Sequence, residues 1–386
     1  MTWLASSNSP KLGRILILLP SSYLFYLNQG MSLRNSFQRL GVDCLLMIDN
    51  MSDDSMQSLI STFMPQAVLS INNPRPKVLE HNNNILHIRW LQDNQFGNTD
   101  VRNENNTAPS DICYFICERL MNLVGGKVHA NRKKSILRFA SSPAPTESSR
   151  HTSNTISFIG YIPPSHLLDA RFQIDSKTHF SGWDYLAFLE KIQGSSIDMP
   201  IELLDEVTEE FLRTYGVTSA QIPEQGLRLF REEFYRASNR YRLIKKIAEQ
   251  TNDIRIYGTQ EWLTWPDFSP YFKGALLTTE QNIQVFRSTK INIHNGGTIS
   301  HPRVFECMGS GGGPILVNEC PKDEGLELIP GVHYLEYNME NITDIIENLT
   351  HDNSLAETLS NNAYHYMKSN HTWDHRAHQI INDIYA

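Results

Sequence analysis

Apolar positions along this chain fall into short runs separated by helical stretches. Arg14 to Leu19 is a continuous apolar run, the pattern of a strand buried on both faces. A helical stretch follows from Met31 to Leu40 and closes at Gly41; Val42 to Ile48 is strand-like again. Ser55 to Met64 is helical in pattern, and Ala67 to Ile71, Ile85 to Trp90 and Ile112 to Cys117 are the next strands. Glu118 to Val124 follows as a helix. Strands alternating with helices in this way predict a doubly wound parallel sheet, an α/β fold.

Between Phe139 and Thr155 large apolar residues thin out and turn formers take over, which marks a linker. A second α/β region opens with Thr155 to Ile159 and Gly160. A mostly helical section, about residues 165–236, interrupts it and is too long for an ordinary connection. The alternation resumes with a helix at Asn239 to Gln250, a strand at Ile254 to Tyr257 ending at Gly258, and a helix at Glu280 to Phe286. A strand at Lys290 to His294, a helix at Pro302 to Met308 and strands at Pro314 to Val317 and His333 to Tyr337 come next. Helices at Ile342 to Leu349, Leu355 to Ser369 and Asp374 to Ile384 end the pattern. The expected organisation is two Rossmann-like domains facing a cleft: residues 1–150, and residues 151–370 with the helical insertion. In such sheets ligands lie outside the carboxyl ends of the strands.

Length and composition fit that picture. The chain has 386 residues, enough for two cores, with 40% hydrophobic and 20% charged residues. A formal net charge of -8 argues against nucleic acid as a partner. The five cysteines are scattered through apolar runs, as expected of reduced thiols in a cytoplasmic protein. The apolar run from Ile15 to Leu19 stops at Pro20, far short of the ~20 residues of a membrane span.

Candidate chemistry concentrates between Ser288 and Leu316. Lys290 opens a strand and is a candidate, with Arg303, to stabilise the charge on a leaving diphosphate; His294, Asn295, Gly296 and Gly297 stand where that strand's carboxyl end would meet a ligand. On the next helix Arg303 could grip a diphosphate in a fork. One turn later Glu306 sits among apolar neighbours, and a carboxylate there needs partners such as two ribose hydroxyls. Gly309, Gly311, Gly312 and Gly313 would let backbone N–H groups approach an anion. The run lacks the Gly-x-Gly-x-x-Gly spacing of a dinucleotide site and the Lys-Ser or Lys-Thr of a P-loop. In the first half Asp93, just after the fourth strand, is the candidate base for an acceptor hydroxyl, and Trp90 a candidate acceptor wall or core residue.

These residues carry a resemblance. Lys290-Ile291-Asn292-Ile293-His294, then Arg303-Val304-Phe305-Glu306, the Gly loop, and His371-Thr372-Trp373 with Arg376 look like the spore-maturation CgeB-like group of glycosyltransferases. Tyr257-Gly258 followed by Trp262 fits the same group, and Trp90-Leu91-Gln92-Asp93 resembles its Trp-and-Asp feature. The pattern is similar to the broader group 1 (GT-B, retaining) glycosyltransferases. It implies a GT-B fold, an acceptor-binding first domain, a donor-binding second domain, and a last helix (residues 371–386) crossing back to the first. It also implies a nucleotide-sugar donor, a UDP-sugar being the expectation, with no cofactor and no obligatory metal. The acceptor is left open among glycan, protein and small molecule, and a homo-oligomer is left open too.

Two departures stand out. Glu306 matches the second Glu of the group's Glu-x7-Glu motif, but Thr298 occupies the position of the first, next to the donor sugar. Gly160 is followed by Tyr161-Ile162-Pro163-Pro164 where the group carries Arg and Lys. The resemblance then puts the phosphate-binding cations at Arg240 or Arg242, with Arg242 and Gly258 taken among the nucleotide contacts. A sugar-nucleotide epimerase or hydrolase, or a non-catalytic binding protein on the same fold, remain the alternatives.

Overall fold

The computed structural model describes residues 12–79, 84–92, 111–127, 133–144, 155–173, 179–194, 201–323 and 325–386. Contacts divide the chain into two compact units: Met1–Ser142 with Asp323–Gly325 and Met367–Ala386, and Pro143–Lys322 with Leu326–Tyr366.

The first unit begins with β1 (Arg14–Leu19), α1 (Leu24–Arg39), β2 (Asp43–Ile48), α2 (Asp53–Phe63) and β3 (Ala67–Ile71). β4 (Leu86–Leu91), β5 (Ile112–Phe115), α3 (Glu118–Val124) and β6 (Lys133–Ile136) follow. Among the described residues the strands form one parallel sheet in the order β2-β1-β3-β4-β5-β6. In β1, Ile15 to Leu19 are all fully buried, which is why that run shows no alternation. The structure starts α1 seven residues before the expected Met31, because its first turn exposes Leu24 and Phe25 and so lacks the amphipathic signal. β6 went unanticipated: it is an edge strand whose first two residues, Lys133 and Lys134, are exposed.

The second unit opens with β7 (Ile156–Ile159) and a small hairpin of β8 (Arg171–Gln173) and β9 (His179–Ser181). The helices α4 (Gly182–Gln193), α5 (Ile201–Thr214) and α6 (Glu224–Arg228) come next. From α6 the chain passes without a break through a π-helical turn, Leu229–Phe234, into α7 (Tyr235–Ala248). Then come β10 (Ile254–Tyr257), α8 (Thr279–Ser288), β11 (Ile291–His294), α9 (Pro302–Ser310), β12 (Ile315–Asn318) and β13 (Leu335–Tyr337). The described strands of the main sheet are parallel, in the order β10-β7-β11-β12-β13.

The helical insertion does not stand apart from this sheet. Phe180, Tyr185, Phe211 and Phe230 belong to the same buried cluster as Phe158, Ile256 and Ile293 of the strands. The ring centroids of Tyr185 and Phe230 lie 4.9 Å apart, and those of Phe180 and Phe211 5.4 Å. A core shared in this way fixes where α7 emerges beside the sheet.

The chain continues through α10 (Ile342–His351) and α11 (Asn353–Asn370) to α12 (Trp373–Tyr385). The end of α11 and all of α12 belong to the first unit. There Arg376 donates to the carbonyls of Arg138 (2.7 Å) and Phe139 (2.9 Å), and Gln379 to that of Ile136 (2.7 Å). The Tyr114 hydroxyl donates to Asp383 at 2.7 Å.

Candidate functional site

Strand order in the second sheet reverses between β7 and β11, since β10 lies on one side of β7 and the later strands on the other. At such a switch point the loops leaving the carboxyl ends diverge and open a crevice. The residues there are Gly160 and Tyr161 after β7, and His294, Asn295 and Gly296 at the end of β11.

α9 starts on the same side. Its N-cap is His301, whose Nδ1 accepts the backbone N–H of Arg303 at 3.2 Å, and Pro302 takes the first helical position, where no N–H is needed. The His301 and His294 rings lie against each other, centroids 4.4 Å apart and planes tilted by 39°. Gly296 makes room for this arrangement, because a Cβ there would fall 2.7 Å from His294 Nε2. Burial pushes both imidazoles well below the usual histidine range; for His301 the nearby His294 adds to it, and for both Arg303 and Arg240 add more. They are neutral at pH 7. Both ring nitrogens of His294 are buried and without a hydrogen-bond partner, as is Asn295 Nδ2.

α7 delivers the strongest charge. Arg240 is buried, and its Nε and Nη1 have no partner. Its guanidinium lies 6.0 Å from the Phe158 ring centroid and reaches Gly160, where a Cβ would stand 3.7 Å from Cζ. Burial weakens its hold on its proton, the like charges of Arg303 and Arg236 add to that, and Glu233 and Tyr161 oppose it. A guanidinium stays protonated even so. The result is a buried cation with unmet donors, a costly arrangement that an anion relieves.

Arg236, one turn before Arg240, is tied back. It pairs with Glu233 at 3.2 Å and lies 5.6 Å from the Tyr161 ring centroid, while the Tyr161 hydroxyl donates to Glu233 at 3.0 Å. Burial lowers the pKa of Arg303, and Glu306 works against that shift. Glu306 is half-buried and accepts from Asn282 Nδ2 at 3.2 Å. Burial pushes its carboxyl up to about 7, with Asn282 and Arg303 opposing.

Arg303, Glu306, His294 and Asn295, all singled out by sequence, therefore meet on one end of the sheet. Thr298 lies on the loop between β11 and α9, where its hydroxyl accepts the Ser300 N–H at 3.1 Å. Asp93 lies outside the described residues.

Other expectations are corrected. Arg242 donates to Gln193 Oε1 (2.5 Å) and to the Gly194 carbonyl (2.6 Å); Arg240 is the α7 arginine that joins the cluster. Lys290 precedes β11, and its ammonium donates to the Thr350 carbonyl and, at 2.9 Å, to Asn353 Oδ1. At about 3.3 Å per residue it stands about 13 Å from His294, at the amino end of the strand.

The Gly309 to Gly313 run lies at that amino end too, because α9 returns the chain to the start of β12. Gly311 caps α9 with a left-handed φ of 65°. A Cβ on Gly312 would come 2.1 Å from the Phe286 carbonyl, and one on Gly313 2.4 Å from that of Lys290. The Gly309 carbonyl accepts from Ala144 N. These glycines pack backbone on backbone and are no phosphate cradle. Gly258 likewise faces Gly160, whose carbonyl a Cβ would meet at 2.0 Å. Trp90 is core: its Nε1 donates to the Leu137 carbonyl at 2.8 Å and it is fully buried.

The residues that sequence reasoning passed over are His301, Tyr161 and the Glu233–Arg236 pair. Only proximity in space marks them. After β7 the loop is held by indoles, Trp262 Nε1 donating to Gly160 O at 2.7 Å and Trp265 Nε1 to Pro163 O at 2.9 Å.

Comparison with known proteins fits this geometry. Residues 236–382 match the family model described as "Glycosyl transferase-like", a span that includes α7 and α9. That span is less than half of the chain, and what it shows is a likeness to that family over this region. Two solved structures share the fold over most of this chain. One is Anabaena HepE in complex with UDP-glucose: 9% identity, 96% of this chain and 98% of that chain covered, TM-score 0.52. The other is a variant of S. aureus TarM in complex with Fondaparinux, alpha-GlcNAc-glycerol and UDP: 10% identity, 86% and 58% covered, TM-score 0.51. At such identities the likeness speaks for the fold, which is of the GT-B type. No curated protein sequence matches the chain. Among the described residues no helix is long and apolar enough to cross a membrane.

Proposed function

We propose that the protein transfers a sugar from a UDP-sugar to an acceptor hydroxyl, with retention at the sugar carbon. The observation that carries this reading is Arg240, a buried guanidinium with unmet donors beside Arg303, at the carboxyl ends of β7 and β11. A diphosphate supplies the missing charge and acceptors. The UDP and UDP-glucose bound by the two structural relatives favour the same ligand class.

In this reading Arg240 and Arg303 hold the diphosphate and stabilise the charge that develops on it as the glycosidic bond breaks. Glu306 accepts from the ribose hydroxyls. His294, neutral, has one ring N–H and one ring nitrogen acceptor for the sugar or the phosphate. Asp93 is the proposed base on sequence position alone. The CgeB-like affiliation and a cytoplasmic setting rest on the motif residues and the free thiols.

Calorimetric titration with UDP and with uridine tests the proposal. Wild type is expected to bind UDP far more tightly than uridine. Arg240→Gln removes charge-assisted bonds worth about 1.5–3 kcal/mol, so UDP affinity falls about 10- to 150-fold while uridine affinity is unchanged. Equal binding of UDP and uridine by wild type would show that the cluster is no diphosphate site.

A further inference from the structure

We propose that Gln29 and Gln92, in the first unit, form a subsite for a hydroxyl of a carbohydrate acceptor; this rests on the transferase reading above. Gln29 lies in the first half of α1 and Gln92 directly follows β4. Both belong to the carboxyl side of a sheet whose strand order reverses between β1 and β3. Each side chain is buried, with 6% exposure.

Gln92 Nε2 donates to Gln29 Oε1 at 2.8 Å. That bond leaves Gln29 Nε2 and Gln92 Oε1 buried and without a partner. Turning both amides end for end leaves the same inventory, one N–H donor and one oxygen acceptor. A hydroxyl is a neutral group that satisfies both at once, as a water molecule also would. An anion would face the free oxygen, and a cation would face the free N–H.

The surroundings hold the pair in place. The Gln92 backbone N–H donates to Asn72 Oδ1 at 2.7 Å, and Asn72 Nδ2 donates to the Tyr26 hydroxyl at 3.2 Å. The Asn72 carbonyl accepts from Arg89 Nε (3.1 Å) and Nη2 (2.8 Å). One helical turn before Gln29 stands Phe25, 42% exposed, and Tyr23 just before α1 is 75% exposed. Phe25 packs edge-on against Tyr26 and Phe139, with centroids 5.1 and 6.2 Å away, and its exposed part suits the apolar carbon face of a sugar ring.

Saturation-transfer NMR on the full chain in excess UDP tests the subsite, with the methyl glycosides of glucose, galactose, mannose and N-acetylglucosamine as probes. At least one is expected to bind wild type and to lose its signal in Gln29→Leu and Gln92→Leu, and in the volume-keeping Gln92→Met. Calorimetry should find UDP affinity unchanged in all three, and thermal melts should show them folded. Glycoside signals that persist in folded variants overturn the subsite. So does a wild type that binds none of the probes; UDP binding retained there leaves the transferase reading intact and makes the pair a seat for buried water. A wild type that fails to bind UDP overturns the transferase reading itself.

Discussion

Glu306 holds its proton to about pH 7 because folding buries its carboxyl. The direction of the consequence is fixed. Between an ordinary carboxyl pKa and about 7 the folded state binds a proton that the unfolded state has released, so stability falls as pH rises through that window. Glu306→Gln removes the slope. From about pH 5 to about pH 8 the melting temperature of wild type should fall relative to that variant. UDP binding should run the other way, because ribose hydroxyls donate to the ionised carboxylate: affinity rises through the same window in wild type and stays flat in the variant. Parallel melting curves for the two proteins would mean that Glu306 is ionised throughout. Sequence pointed to this residue because an acid among Val304, Phe305 and Met308 needs an explanation. Arg240 was legible only as one of two arginines, since residues two apart on a helix face different ways and sequence does not say which side meets the sheet.

At the scale of elements, two glycine-bearing segments read alike in sequence and differ in place. Gly296 sits at the carboxyl end of β11 beside His294, whereas Gly312 and Gly313 sit at the amino end of β12 against the Phe286 and Lys290 carbonyls. Gly312→Ala must move backbone, so it should destabilise the fold by about 1–3 kcal/mol or more. UDP affinity per folded molecule should be unaffected. Chemical denaturation and calorimetry separate the two quantities, and a variant of normal stability that binds UDP poorly would return the loop to the phosphate. The π turn Leu229–Phe234 is another element that pattern reading missed. One extra residue in a turn leaves the local apolar spacing nearly intact, yet it resets which side chains of α7 face β7. Such turns recur at functional sites; here Glu233 lies within it, and Arg236 and Arg240 follow on the helix it starts.

At the scale of the whole molecule, the chain leaves the first unit for the second and returns to it at the end. Trp373, Ala377 and Ile380 of α12 are buried, and Arg376 satisfies the carbonyls of Arg138 and Phe139. A chain ending at Tyr366 therefore loses part of the first unit's core and leaves buried carbonyls unpaired, each costing about 1–3 kcal/mol. Its thermal unfolding should show the first unit melted or aggregated, with UDP binding by the second unit retained. Intact melting of both units would mean that α12 is dispensable.

Alternation of apolar runs with helical spacing determined the α/β class, the parallel sheets and most strand positions, because burial on both faces of a parallel strand leaves an unbroken apolar signature. Local chemistry also marked Arg303, Glu306 and His294, whose types and neighbours are odd in isolation. Which side chains reach the crevice was decided only in three dimensions. Lys290 and His294 are four residues apart and lie at opposite ends of β11; Gly313 and Arg303 lie at opposite ends of the path through α9. A period of two or of 3.6 reports the face a side chain takes, and carries nothing about its height along the strand relative to a ligand. Strand order supplied that, by placing the crevice between β7 and β11.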